Sequence, residues 1–337
     1  MKKILTILLA LCLVLSVFSG CSKTNDQTTA QSTEQNTDSQ ESTNDTENGD
    51  NENKDSVTFI DALGEQITVK KSPQKVICLY NSYLDLWYEA GGTVIGTIES
   101  REKVPEGAEK AEIVGTMTSP NMEKILSMQP DLVILRPGMK GQGEIVPLLQ
   151  QNNIPYLAIE YDNFEQYIET MTVFTELNER PDLFQEKAIA VKEKVDDIIA
   201  NVPKDEKPSV LLMFATAKGV SVKLPNSFVG DMLQDLGAEN IAYDAKLTDE
   251  EMEIFSMEKV VERDPDFILV QTMGDIDDIK DRLVKDVESN PAWGSLTAVK
   301  EGRYIYLPKD LYLYKPNALY GEAYEGLAKI LYPETFK

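Results

Sequence analysis

From residue 56 onward the apolar and polar positions keep a rhythm that changes twice. "VTFIDALGEQITVKK" (57–71) alternates with a period of two and holds Gly64-Glu65 near its middle, which predicts a β-hairpin. Short unbroken apolar runs follow: "KVICLY" (75–80), "TVIGTI" (93–98), "DLVILR" (131–136) and "PYLAIE" (155–160). Runs of this kind read as strands buried on both faces. Helical patterns separate them: "SYLDLWYEAGG" (82–92), "NMEKILSMQ" (121–129) and "GEIVPLLQQNN" (143–153). Strands alternating with helices predict a mostly parallel sheet covered on both sides.

The rhythm then breaks. Residues 163–179 and 180–202 are helical in pattern, with an interruption around Pro181. Leu183, Ala188, Val191, Val195 and Ile198 mark an apolar stripe on the second stretch. At ~1.5 Å per residue, a helix over 181–201 spans roughly 30 Å, enough to cross from one small lobe to another. The strand–helix rhythm restarts at "PSVLLMFA" (208–215). It continues through "GVSVKL" (219–224), "SFVGDMLQDLG" (227–237), "SMEKVVERD" (256–264) and "DFILVQT" (266–272). Helices over 275–286 and 290–302, the strand "RYIYLP" (303–308) and a last helix over 318–332 complete it. The expected fold is α/β. Two lobes, 56–162 and 203–337, each carry a mostly parallel sheet flanked by helices, and one long connector helix within 163–202 joins them.

The ends carry a different signal. Lys2 and Lys3, then the apolar run from Ile4 to Phe18, then Ser19 and Gly20 have the layout of a cleaved secretory signal over residues 1–20. The run is short for a membrane span, which takes ~20 residues. "FSGC" resembles the lipobox of bacterial lipoproteins, with Phe18 where Leu is usual, and this makes Cys21 the expected lipidation site. Residues 22–55 hold nine acids, two lysines, no aromatic and no aliphatic side chain larger than Ala30. Such a segment buries too little apolar surface to offset the entropy of ordering, so 21–55 reads as an acidic tether behind a lipid anchor. Cys78 is then the one cysteine left in the ordered part, and its apolar run makes it a core residue.

Composition narrows the chemistry. A net charge of −24 argues against nucleic acid, whose binding neutralises phosphates with Lys and Arg, and against a polybasic grip on lipid. There is no histidine. Its absence removes Ser-His-Asp and Cys-His catalysis, His-ligated metal capture and a His axial ligand to haem, for which Tyr or Met would remain. No G-x-S-x-G or P-loop occurs, and "GTMTSP" and "GMKGQG" are too irregular for phosphate cradles. The expectation is not an enzyme. A surface enzyme or an adhesin is a distant alternative that leaves the doubled lobes unexplained.

One sentence is written twice. "NMEKILSMQPDLVIL" (121–135) and "SMEKVVERDPDFILV" (256–270) share Met, Glu, Lys, Pro and Asp at identical offsets. Asn121 and Ser256 suit N-caps. Met122, Ile125 and Leu126 in one copy, and Met257, Val260 and Val261 in the other, make an apolar helix face, with Glu123 and Glu258 a step off it. An acid in the first helical turn is favoured by the helix dipole. One acidic knob per lobe also suits a partner with two-fold symmetry.

The helix–strand unit "NMEKI" … "PDLVI", its looser echo, "PQKVICLYNSYLDLWYEAGG" and "NPAWGSLTAVKEGRYIYLP" carry a family resemblance. Over 56–337 the chain resembles the substrate-binding lipoproteins of ABC importers for iron–siderophore, haem and cobalamin. The resemblance implies a class III periplasmic-binding-protein-like architecture, with ligand in the cleft between the lobes. It also implies docking of Glu123 and Glu258 on a dimeric membrane permease driven by its ATPase. The implied protein is a monomer held to the outer face of the cell membrane by lipid alone, with no intrinsic cofactor.

Ligands of open α/β sheets bind beyond the carboxyl ends of the strands. In the first lobe this points to Tyr80, Asn81, Tyr83, Arg101, Thr116, Met117, Arg136, Met139 and Tyr161. In the second it points to Thr216, Thr272, Met273, Tyr312, Tyr314 and Lys315. Tyrosine faces with hydrogen-bonding tips, and Arg and Lys for carboxylates or catecholates, suit a bulky, partly anionic chelate. A ferric siderophore or similar iron chelate leads, with haem second and cobalamin third.

Overall fold

The computed structural model describes residues 55–100, 103–243 and 257–337. The signal, Cys21, the tether, Arg101 and Ser256 lie outside the described residues. The alternating stretch at the start is an antiparallel ribbon of β1 (Ser56–Ile60) and β2 (Gln66–Lys70). Asp61 closes its turn, with one carboxylate oxygen accepting from the amides of Leu63 at 2.9 Å and Glu65 at 3.0 Å.

The first lobe is built on β3 (Val76–Cys78), β4 (Gly96–Thr97), β5 (Glu112–Ile113), β8 (Leu132–Leu135) and β9 (Tyr156–Ala158). They lie in the order β5-β4-β3-β8-β9, all parallel. Between β5 and β8 a small hairpin, β6 (Gly115–Thr116) and β7 (Ser119–Pro120), rises off the sheet. The crossing helices are α1 (Asn81–Glu89), α2 (Met122–Ser127) and α3 (Val146–Gln151).

The connector region holds two helices. The first is α4 (Phe164–Leu177), capped by the Asn163 side chain. The chain turns at Glu179, whose φ is 54°. A second helix then runs on from Pro181 to Ala200 as α5 (Pro181–Phe184), a π-helical turn (Gln185–Ile189) and α6 (Ala190–Ala200). Ala188, Val195 and Ile198 of the predicted stripe are buried, and Leu183 and Val191 are half-buried.

In the second lobe β10 (Ser209–Thr216), β11 (Gly219–Val222), β12 (Glu239–Asn240), β13 (Phe267–Met273) and β14 (Tyr304–Tyr306) form one sheet. The path is β11-β10-β13-β14, and β12 pairs with the start of β10. The β10–β11 pair is antiparallel and the others are parallel. Its helices are α7 (Phe228–Asp235), α8 (Met257–Arg263), α9 (Ile276–Leu283), α10 (Thr297–Lys300), α11 (Lys309–Tyr312) and α12 (Tyr320–Leu331). The expected single helix over 290–302 is a 3-10 turn (Trp293–Ser295) and the short α10, with Leu296 extended between them.

Period-two alternation explains why the strand sequences are apolar throughout. Val76, Cys78, Leu132 and Ile134 enter a central core, while Ile77, Leu79, Val133 and Leu135 enter a core on the other side of the sheet. In the second sheet Val210, Leu212 and Leu269 face the central core and Leu211, Met213, Ile268 and Val270 face away. The central core takes side chains from both lobes and from α4, α6 and α12. Cys78 is fully buried there, and burial pushes its thiol up to about 12, as suits a core residue.

The twice-written sentence has a structural cause. Each copy is a short helix ending in a residue of positive φ, Gln129 at 51° and Asp264 at 38°, followed by a buried Pro. The Asp after each Pro then holds the start of the neighbouring strand. Asp131 accepts from the amides of Gln74 and Lys75, each at 2.8 Å. Asp266 accepts from the amide of Ser209 at 2.8 Å and its hydroxyl at 2.7 Å. Both carboxylates thereby fix the register of a central parallel pair, β3 with β8 and β10 with β13. Asn121 caps α2 by accepting from the amide of Lys124. Val261, expected on the buried face, is 38% exposed, because the short α8 turns only Val260 fully inward.

Candidate functional site

A cleft of about 1570 Å³ opens between the lobes. One wall is α1 and the β6–β7 hairpin. The floor includes Arg180, Leu183 and Lys187 at the start of the connector helix. The facing wall is the end of β13, with Met273 and Gly274, and the segment from Lys309 to Leu319. Drug-sized ligands fill pockets of ~300–1,000 Å³, so this one suits a larger guest.

Sequence position brought seven of the candidates here. Tyr80, Asn81, Thr116, Met117, Met273, Tyr314 and Lys315 line the cleft. The others stand elsewhere. Tyr83 is fully buried, donates its hydroxyl to the Ile159 carbonyl at 2.9 Å, and packs on Tyr80. Tyr161 is equally buried among Tyr83, Tyr167 and Tyr320. Tyr312 is on the inner face of α11, with its hydroxyl on the Ala323 carbonyl at 2.9 Å. Thr272 is buried inside β13. Burial pushes the phenols of Tyr83, Tyr161 and Tyr312 up, which suits core packing. Thr216 bonds the turn of the β10–β11 hairpin through its hydroxyl, and Met139 sits in a turn whose amide reaches the Arg136 carbonyl. Neither lines the cleft. Arg101 lies outside the described residues.

Arg136 corrects the expectation of an open guanidinium clamp. Its Nε meets Glu160 at 2.9 Å, its Nη2 meets both oxygens of Asp162 at 2.9 Å, and its Nη1 donates to the Tyr80 hydroxyl at 3.3 Å. Its fork is filled from within the protein. Lys315 reaches the same Asp162 at 3.1 Å and lies over the rings of Tyr161 and Phe228. Burial lowers the Lys315 ammonium despite that carboxylate. Asp162 loses hydration too, but Lys315 and Arg136 outweigh the loss and hold its carboxyl below the usual range.

Several shaping residues were not legible in advance. Gln142 is fully buried, donates to the carbonyls of Leu79 at 2.6 Å and Met117 at 2.9 Å, and accepts from the amide of Arg136. It joins the ends of β3 and β8 to the β6–β7 hairpin. Gly141 and Gly143 beside it make room: a Cβ on Gly141 would meet the Thr118 carbonyl at 2.2 Å, and one on Gly143 the Pro137 carbonyl at 2.5 Å. The glycines of "GMKGQG" were the available signal. Asp85 and Glu89 line the α1 wall, where burial pushes their carboxyls up to about 6 and about 7. Asn317 ties the far wall across the cleft, accepting from the Tyr161 hydroxyl at 3.2 Å and donating to the Ser82 carbonyl at 3.3 Å.

Known proteins are similar to this chain in sequence and in fold. The chain is 27% identical over 291 residues to an uncharacterized ABC transporter substrate-binding lipoprotein, YvrC, of Bacillus subtilis (strain 168), covering 83% of this chain and 87% of that one. It is 26% identical to the Fe(3+)-citrate-binding protein YfmC of the same organism, over 92% of this chain and 90% of that one. In fold it superposes on the crystal structure of Staphylococcus aureus IsdE complexed with heme, with a TM-score of 0.64 at 18% identity, covering 77% of this chain and 98% of that chain. The sequence pattern of the periplasmic binding proteins matches residues 76–311, from the first strand of one lobe through the connector to α11 of the other, and the chain belongs to that family.

Proposed function

We propose that this protein is the solute-capturing lipoprotein of an ABC importer, taking a ferric siderophore or similar iron chelate into the inter-lobe cleft and delivering it to a permease dimer. The observation that carries the reading is the cleft itself: about 1570 Å³, with walls drawn from both lobes and a floor from the connector helix. Residues 56–162 and 203–337 are its two jaws. Residues 1–20 are the signal, and Cys21 with the acidic tether to residue 55 holds the protein on the extracytoplasmic face. Tyr80, Asn81, Thr116, Met117, Met273, Tyr314 and Lys315 are the proposed ligand-facing set. Glu123 and Glu258, both exposed in the first turns of α2 and α8, are the proposed docking acids. An Fe(3+)-citrate-binding relative supports the cargo class. Haem is the second reading, favoured by Met117 and Met273 on opposing walls and by a fold neighbour solved with heme. The test is a titration of the purified protein with ferric chelates, haem and cobalamin, following tryptophan fluorescence. Saturable quenching by one of them is expected, and silence with all of them removes the capture reading.

A further inference from the structure

The cations of this cleft are largely engaged inside the protein. Lys315 is held by Asp162, which also pairs with Arg136, a cation outside the lining. On the floor, Arg180 is bidentate to Asp182 at 2.8 and 2.6 Å, and Lys187 pairs with Glu186 at 2.9 Å. Lys309 donates to the Gly274 carbonyl at 2.7 Å. An exposed Lys103 remains on the lining. Lys103 and Lys309, neither in an ion pair among the described residues, then stand against the lining acids Asp85, Glu89, Glu99, Glu106 and Asp310, so a carboxylate- or catecholate-rich guest would meet more repulsion than pairing.

The acceptors tell the opposite story. Asn81, Asp85 and Glu89 fall at i, i+4 and i+8 of α1, so they form one stripe about 12 Å long down the cleft wall. Asp85 has no hydrogen-bond or ion-pair partner among the described residues, and Asn81 Oδ1 is buried without a donor. Among the described residues Glu89 accepts only from the amide of Ala318, at 3.2 Å, with Lys187 acting on it from farther away. Burial pushes both carboxyls up, as it does where no close cation compensates. The second lobe's side of the cleft also offers two exposed apolar side chains, Met273 at 52% and Leu319 at 47%, among the polar Lys309, Asp310 and Lys315.

We infer that the captured chelate sets N–H donors, an ammonium or primary amides, against Asp85 and Glu89 of α1, turns an apolar face to Met273 and Leu319, and that polyanionic chelates are disfavoured. This rests on the capture reading above. Carboxylates are acceptor-only when ionised, so N–H donors satisfy them while a second anion repels them. Two sources share the donor chemistry: an amine-bearing hydroxamate and an amide-decorated corrinoid.

Calorimetry on the purified protein at pH 8 with ferrioxamine B, cyanocobalamin, ferric citrate and ferric enterobactin separates the outcomes. One of the first two should bind at least about tenfold more tightly than either anion, a difference set by one favourable charge contact. Equal or tighter binding of an anionic chelate overturns the inference and leaves the capture reading standing. No binding by any of the four, nor by haem, removes both. Asp85→Asn keeps an acceptor and loses the charge. It should weaken an ammonium guest at least about tenfold and leave an amide guest within about threefold, which names the source. Asp85→Leu should weaken either, and an unchanged affinity in that folded variant also overturns the inference. The ligand ranking of the unaltered protein decides the matter should a variant not fold.

Discussion

Glu89 shows how one side chain records its surroundings. Its carboxylate is drawn from water into the junction of α1 with the segment after Pro316, with the Ala318 amide as its donor. Burial, partly offset by that amide and by Lys187, leaves the carboxyl at about 7. The folded chain therefore holds a proton between roughly pH 4.5 and 7 that the unfolded chain has released. Stability contributed at this site falls as pH rises through that window, and the cost is complete above about 7. Glu89→Gln keeps an acceptor for Ala318 and removes the charge. It should stabilise the protein at pH 8 by about 1–3 kcal/mol and change little at pH 5, as read by urea denaturation at the two pH values. A gain of equal size at both would point to packing rather than desolvation. Arg136 teaches the same lesson from the sequence side. Its place at the end of a strand was legible, but Glu160 and Asp162, which fill its fork, come from another strand end. Tyr83 and Tyr161 also follow strands, yet turn into the core. Nothing local tells which side of a strand end a tyrosine will take.

At the scale of elements, the doubled helix–strand unit was legible because its parts are local: a cap, an apolar face, a Pro that ends the helix. The work of its aspartates was not, since Asp131 reaches Gln74 and Lys75 and Asp266 reaches Ser209, each 56 or 57 residues away. Removing either carboxylate strands backbone donors at the head of a central strand. Asp266→Ala, whose bonds are part-buried, should cost about 2 kcal/mol, and the exposed Asp131→Ala about 1, by thermal or chemical unfolding. The glutamates in the same units behave differently. Glu123 and Glu258 are exposed, so Glu123→Ala with Glu258→Ala should move stability by no more than about 1 kcal/mol and leave ligand affinity intact. If they dock the permease, uptake in cells should be lost with the pair. Uptake that survives the double change refutes the docking proposal.

The whole molecule is less a pair of independent jaws than two sheets sharing one interior. Leu84 and Trp87 of the first lobe, Phe174 and Val195 of the connector region, and Leu233 and Tyr324 of the second lobe belong to the same core. The segment from Lys315 to Ala318 adds polar ties across the lobes, through Lys315 to Asp162, Asn317 to Tyr161 and Ser82, and Ala318 to Glu89. Two lobes were legible in the restart of the rhythm. Their coupling was not, because it depends on aromatic side chains from α4 and α12 meeting at distances no periodicity encodes. A shared core predicts one cooperative unfolding transition and only a small change of lobe separation when ligand binds. Asn317 is the place to probe this. It is 2% exposed and sits at a φ of 50°, where glycine is at ease. Asn317→Gly thus keeps the backbone and removes both side-chain bonds. It should cost about 1–3 kcal/mol, keep a single transition, and broaden the distance distribution between spin labels placed on the two sheets. A variant that unfolds in two steps would show that the polar ties, rather than the common core, make the lobes one body. An unbroadened distribution with full loss of stability would show that Asn317 holds only its own segment.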